Sequence, residues 1–327
     1  MSFTRFGRHV WWAALLGLLV IVVVGALVVS HRPSRQTVVL HVGDQRGAIR
    51  SLLNAAGELE DVPYKIEWHV FPVGAPLVEA IKADAVDFGY VGSSTATFGL
   101  ASGSPLRVIS VWKFHGPGSG LLVPGDSAIR QLSDLRGKKI AVVKGSPGHL
   151  LVIEALRSAH VSLDAVSIIN LTAGDAKAAL SSGAVDAWAI WDPYLAIGEI
   201  QDHDRVLITS DKLTAEIETG VASDGAVRAK RAELLDFLGR VQRAWVWSQA
   251  HPEAAAQAYA KDTGVPVELA RVVRGRMRVE ALPKVTDEAI AIHQKTADLY
   301  ADIGLIPRRL DIAKTYDRGF VLSDQGR

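Results

Sequence analysis

Short β-branched runs alternate with amphipathic helical stretches along this chain, and the alternation is run through twice. That rhythm restricts the architecture more than any other feature. Residues 37–43 (TVVLHVG) are a β-branched run closed by glycine, the pattern of a strand entering a turn. Residues 48–57 carry helical periodicity, and residues 65–71 (KIEWHVF) alternate polar with apolar as a second strand. The spacing then predicts a helix over 77–82, a strand over 88–91, a helix over 95–101 and a strand over 106–112. The second round places strands over 139–143, 166–171, 184–190 and 206–208, with helices over 147–159 and 175–181 between them. Such an order predicts an α/β fold, with mainly parallel sheets covered by helices. Residues 120–127 and 218–224 are expected to connect the two units. Beyond them, residues 230–249, 252–261, 265–274 and 287–303 are predicted helical, with Pro252 and Pro266 in first-turn positions. The fragments VDFGY (85 or so onward, from Val86) and VDAWA (from Val185) each follow an amphipathic helix, as two units of like topology require. No short fixed-period repeat is visible, which argues against a solenoid.

The amino-terminal segment sets the compartment. Residues 10–30 (VWWAALLGLLVIVVVGALVVS) contain no charged side chain. A helix of that length spans about 30 Å, the thickness of a bilayer's hydrocarbon core. Arg5 and Arg8 precede it, and Trp11 and Trp12 fall where an interfacial belt would lie. A cleaved signal has an apolar run of about 7–15 residues and a small-x-small site. Here the run is longer, and the best site, after Ser30, has Val28 three positions back. An uncleaved anchor is therefore favoured over a cleaved signal, and a buried soluble helix ranks third. Either main reading exports the rest of the chain. Lys+Arg is 36 against 35 for Asp+Glu, a balance that excludes a chain-wide nucleic-acid surface. The chain has 0 cysteines, which removes disulfide scaffolds, thiolate metal sites, cysteine nucleophiles and a lipidated N-terminal Cys. No cofactor or metal is expected: G-x-x-x-x-G-K-[ST], G-x-S-x-G and H-E-x-x-H are all absent.

Open parallel sheets bind ligands at the carboxyl ends of their strands. Four such ends carry Gln45 and Arg46; Gly92, Ser93, Ser94 and Thr95; Ser146 and His149; and Trp191 and Asp192. Three of these turns are rich in donors and open helices, so each is a natural anion cradle. Each has a plain alternative. Ser and Thr before a helix are most often caps, Gly145-Ser-Pro-Gly is a turn, Asp192-Pro193 suits a helix start, and Trp191 suits a core. Arg46 reads as solvated, and His149 as a surface helix residue. Convergence of the turns in two units favours the ligand reading.

The segments GDQR (43–46), FPVG (71–74), VDFGYVG (86–92), DLRGKK (134–139), KGSPGH (144–149), VDAWAIWDPY (185–194) and GLIP (304–307) occur in this order. Together they resemble the substrate-binding proteins of the aliphatic sulfonate, taurine and nitrate ABC importers, over nearly all of residues 37–310. The resemblance implies a two-lobed, type II periplasmic binding protein without catalysis. It also implies residues 37–121 with 221–327 as lobe 1 and residues 122–220 as lobe 2; the long apolar run within residues 1–31, read above as signal anchor or signal peptide, departs from the family's usual cleaved signal or lipoprotein Cys. It assigns ligand contacts to Gln45, Ser146, His149, Trp191 and Asp192. The family's turn after the third strand has an acid, a threonine and prolines, where this chain has Gly92-Ser93-Ser94-Thr95-Ala96. The missing acid disfavours an ammonium-bearing ligand such as taurine.

A sulfonate carries three acceptor oxygens and no proton, so its site needs donors only. The Gln45 amide and the hydroxyls of Ser93, Ser94, Thr95 and Ser146 match that need, without an arginine. Each charge-assisted hydrogen bond is worth roughly 1.5–3 kcal/mol net. Trp191 and Tyr194 would cover an apolar tail. The expected mechanism is capture between lobes that close about hinge strands near 121–124 and 219–222, then handover to an inner-membrane permease served by separate ATPase subunits. Competing readings are the same fold binding nitrate, bicarbonate, taurine, a pyrimidine or an aromatic sulfur compound, a membrane-tethered sensor, or an enzyme.

Overall fold

The computed structural model describes residues 37–215 and 217–322. The proposed anchor over residues 10–30 lies outside the described residues. Among the described residues no helix is long and apolar enough to cross a membrane. From Val39 onward the chain forms one compact unit.

Among the described residues eleven strands form two sheets. They are β1 (Val39–Gln45), β2 (Lys65–Phe71), β3 (Phe88–Gly92), β4 (Leu106–Phe114), β5 (Ser119–Val123), β6 (Lys139–Val142), β7 (Ser167–Asn170), β8 (Ala187–Trp191), β9 (Arg205–Thr209), β10 (Ile217–Ser223) and β11 (Val279–Ala281). The six-stranded sheet has the order β11-β4-β10-β3-β1-β2, and the five-stranded sheet the order β7-β6-β8-β5-β9. β1 pairs in parallel with β2 and β3, as β6 does with β7 and β8. β10 runs antiparallel between β3 and β4, and β5 antiparallel between β8 and β9. Both sheets therefore follow one plan, in which a strand arriving from the other lobe is inserted antiparallel beside the third strand.

The chain passes from the first sheet to the second through residues 115–118 and returns between Thr209, the end of β9, and Ile217, the start of β10. The segments read as connectors, 120–127 and 218–224, instead supply β5 and β10. The expected lobe limits at 121/122 and 220/221, and the expected hinge strands, fall inside these strands. The glycines explain the difference. A Cβ on Gly120 would lie 2.6 Å from a Leu195 methyl, and one on Gly220 would lie 2.9 Å from Ser110 Cβ and 3.0 Å from the Phe88 ring. These residues are glycine because a neighbour fills the space, not because the chain turns there. Both strands are correspondingly buried along most of their length.

Local chemistry starts the helices. Ser146 caps Pro147–Ser158, with Pro147 in the first turn. Thr172, Ser223 and Thr286 cap Ala173–Ser181, Asp224–Ala229 and Asp287–Asp302 by accepting backbone N–H bonds. Each lobe buries its own core. One centres on Leu77, Val91, Val108 and Val221, and the other on Leu121, Ile140, Leu151 and Ala187. Full burial of such side chains is worth about 1.5–3 kcal/mol each. Two further clusters join the lobes. Ala196 packs with Tyr259, Leu269 and Val273, and Leu150 and Ile153 pack with Tyr300 and Ile306.

Candidate ligand-binding cleft

The carboxyl ends of β1, β3, β6 and β8 converge on a cleft of about 560 Å³ whose walls come from both lobes. Gln45, Gly92, Thr95, Ser146, Trp191 and Asp192 line it, whereas Ser93, Ser94 and His149 do not. Ser93 and Ser94 are fully buried at the start of helix Ser93–Ala101. Neither side chain is open to solvent.

Much of the donor capacity expected of the turns is already engaged. Gln45 Nε2 donates to the Tyr90 carbonyl at 2.8 Å, which pins the side chain at the cleft wall. Thr95 Oγ1 donates to the Gly145 carbonyl at 3.1 Å and so ties the turn of one lobe to that of the other. Ser146 Oγ accepts the His149 N–H at 3.3 Å, leaving its own O–H for another partner. His149 Nδ1 accepts the Gly145 N–H at 3.2 Å. Burial, with a smaller effect of Lys144, lowers the His149 imidazole to about 4, so at neutral pH it brings no charge to an anion. The first turn is occupied from within. The Asp44 carboxylate accepts from Ile49 N at 3.1 Å and Arg50 N at 2.9 Å, so the positive end of helix Ala48–Ala55 faces an acid of its own chain. Burial raises that carboxyl to about 6 against the pull of these hydrogen bonds.

Asp192 enters through a cis Asp192–Pro193 peptide bond. Its Oδ1 accepts from Ala196 N at 3.0 Å and from Arg276 at 3.4 Å, while Oδ2 is buried without a partner. Desolvation lifts its carboxyl to about 6, with Arg276 opposing the rise.

Two cations of the cleft, Arg274 and Arg276, escaped the sequence reading. Arg274 stands 5.0 Å over the Trp245 ring and 5.7 Å from the Tyr259 ring centre. Among the described residues it forms no ion pair, and it faces the cleft. Burial lowers its guanidinium to about 10, which still leaves it charged at neutral pH. Arg46, read as solvated, instead lines the cleft, donates to Tyr194 Oη at 2.9 Å and has a buried Nε with no partner. Arg276 pairs with Glu199 as well as Asp192. Aromatic rings form much of the remaining wall: Trp112 stacks on Tyr90 at 3.7 Å and meets the edge of Trp245 at 5.3 Å. Arg271, Arg274, Arg276 and Arg278 fall close together in sequence and look like one solvated basic face. Arg271 does point outward to Glu253 and Glu268, but Arg274 and Arg276 turn inward.

The arrangement is a two-sided cleft with a cation that has no ion pair among the described residues, residual donors and aromatic walls, suited to an anion with an apolar body. Comparison with known proteins points the same way. The family described as NMT1/THI5 like matches residues 72–255, more than half of the chain. A protein of Escherichia coli (strain K12) named for binding aliphatic sulfonates is 30% identical over 308 residues, 93% of this chain and 95% of that protein. The alkanesulfonate-binding protein SsuA from Xanthomonas axonopodis pv. citri, solved bound to MOPS, superposes with a TM-score of 0.80 at 27% identity, covering 86% of this chain and 98% of SsuA. SsuA of Escherichia coli, a periplasmic aliphatic sulphonate binding protein, gives 0.77 at 29% identity over 88% and 95%. The chain has the two-lobed α/β fold of periplasmic binding proteins, and it belongs to the NMT1/THI5-like family.

Proposed function

We propose that this chain is the periplasmic solute-binding component of an ABC importer and captures an organosulfonate between its lobes. The observation that carries the reading is Arg274, a charged guanidinium that faces the cleft between aromatic rings without an acid beside it. A sulfonate supplies the missing charge at every physiological pH, and its carbon chain suits the rings of Trp112, Trp191 and Trp245. Nitrate and bicarbonate lack that chain. Arg46, the remaining donors of Gln45 and the backbone at Gly92 complete the proposed contacts on the lobe of Arg274, with Ser146, Trp191 and Asp192 on the opposite lobe. No catalytic role is assigned to the cleft.

In this reading residues 39–114 and 217–322 make one lobe and residues 119–209 the other. Closure turns on the crossings at 115–118 and 210–216. The closed form delivers its ligand to an inner-membrane permease whose ATPase subunits are separate chains. The apolar run at residues 10–30 would tether the binder beside that permease and raise its effective concentration.

Titration calorimetry with ethane-, butane- and hexanesulfonate, taurine, nitrate and bicarbonate tests the proposal. Sulfonates bind, and tighter as the chain lengthens. Binding of nitrate or bicarbonate with no response to any sulfonate would reject the substrate while leaving the fold untouched.

A further inference from the structure

β1 and β2 carry three side chains that the cleft does not use. His41 on β1 stands opposite Glu67 on β2, and His69 follows two residues along the same strand. Side chains two apart share a face of a strand, so all three project from one face of the sheet, at its β2 edge. His41 Nδ1 lies 3.1 Å from His69 Nε2 and 3.4 Å from Glu67 Oε2. One donor atom from each residue falls within 4.8 Å of the other two. Around a tetrahedral zinc ion with bonds of about 2.0–2.1 Å, neighbouring donor atoms stand about 3.3 Å apart. The two closest separations here match that spacing.

We propose that His41, Glu67 and His69 form a surface site for a zinc-class divalent transition metal, independent of the sulfonate reading. Two imidazole nitrogens at 3.1 Å share either a proton or a cation, because two bare lone pairs would repel. Lys65 Nζ sits 2.6 Å from Glu67 Oε1. That contact occupies Oε1 and leaves Oε2 toward His41. Two imidazoles and one carboxylate suit zinc, copper or nickel and disfavour calcium and magnesium, which take oxygen ligands. All three side chains are half-buried, so solvent reaches the site and water fills the remaining coordination position. None of the three lines the ligand cleft. A bound ion would bridge β1 to β2, the edge strand, and tie that edge down.

The test titrates ZnCl2 into the untagged full chain against a chromophoric chelator, with MgCl2 and CaCl2 alongside. The site predicts one Zn²⁺ bound per chain, an affinity at least tenfold weaker in His41→Ala and in His69→Ala, and no response to Mg²⁺ or Ca²⁺. Zinc also raises the thermal midpoint of the native chain but not that of His69→Ala. Equal midpoints of native and variant chains in EDTA confirm that folding is intact, and His69→Gln replaces any alanine variant that fails this control. Zinc affinity unchanged in both histidine variants overturns the proposal, as does an equal response to Mg²⁺.

Discussion

Arg274 rests on two aromatic rings and leaves its charge without an acidic partner among the described residues. An arriving anion completes the pair. Truncating one member of a buried charge pair costs about 2–5 kcal/mol. Arg274→Gln is therefore expected to weaken sulfonate binding by about thirtyfold or more in calorimetry while leaving the thermal midpoint near that of the parent. In the proposed site Trp191 would act on the tail instead. Trp191→Ala should reduce affinity for hexanesulfonate far more than for ethanesulfonate, and equal losses for both would remove it from the tail wall. Asp192 sets a pH dependence. Its carboxyl, raised to about 6 by burial, is charged at pH 7.5 and neutral at pH 5. The negative charge opposes a bound anion, so sulfonate affinity should rise severalfold as pH falls through about 6. Asp44, also at the cleft and also raised to about 6, acts in the same direction. Asp192→Asn should flatten the calorimetric pH profile to the residual slope left by Asp44.

At the level of elements, the start of helix Pro147–Ser158 is fixed by more than its cap. A Cβ on Gly148 would lie 2.6 Å from the Ala189 carbonyl oxygen and 2.9 Å from its carbon. The helix end therefore packs directly on the backbone of β8, and that approach sets Ser146 and Trp191 at one cleft wall. Backbone cannot move aside as a side-chain tip can. Gly148→Ala should destabilise the protein by about 1–3 kcal/mol, measured by urea unfolding, and weaken sulfonate binding as well. Asp44 plays the equivalent part in the other lobe by capping helix Ala48–Ala55 from within β1. The turns after β1 and β6 are thus built first to hold helices, and their ligand capacity is what remains.

For the whole molecule, side-chain contacts join the two lobes across the cleft. Arg276 reaches Glu199 and Asp192, Arg46 reaches Tyr194, and Thr95 reaches Gly145. Apolar packing of Ala196 against Tyr259 and Val273 lies beside the Arg276 contacts. These contacts exist only when the lobes are together, so they oppose ligand escape. Glu199→Gln should speed sulfonate dissociation severalfold in stopped-flow fluorescence, with little change in the thermal midpoint of the free chain. An unchanged dissociation rate would mean that the ion pair does not hold the closed form.

The sequence by itself determined the alternation of strands and helices, because hydrophobic period and capping residues act within a few positions. β2, Lys65–Phe71, is read with both of its observed ends from polar–apolar alternation alone. It also placed Gln45, Ser146, Trp191 and Asp192 at strand ends, since the carboxyl edge of a parallel sheet is implied once its strands are known. Tertiary structure decided what neighbours decide. Gly120 and Gly220 read as linker residues until Leu195 and Phe88 are seen to occupy the space a Cβ would need. Ser93 and Ser94 read as ligand donors, but both are fully buried and neither lines the cleft. Arg274 carries no signal in the sequence beyond the end of a predicted helix, and packing against Trp245 and Tyr259, far from β1 and β3 in sequence, brings it to the same cleft. Local propensity carries no information about which long-range partner desolvates a charge, and that desolvation is what makes Arg274 a candidate ligand residue.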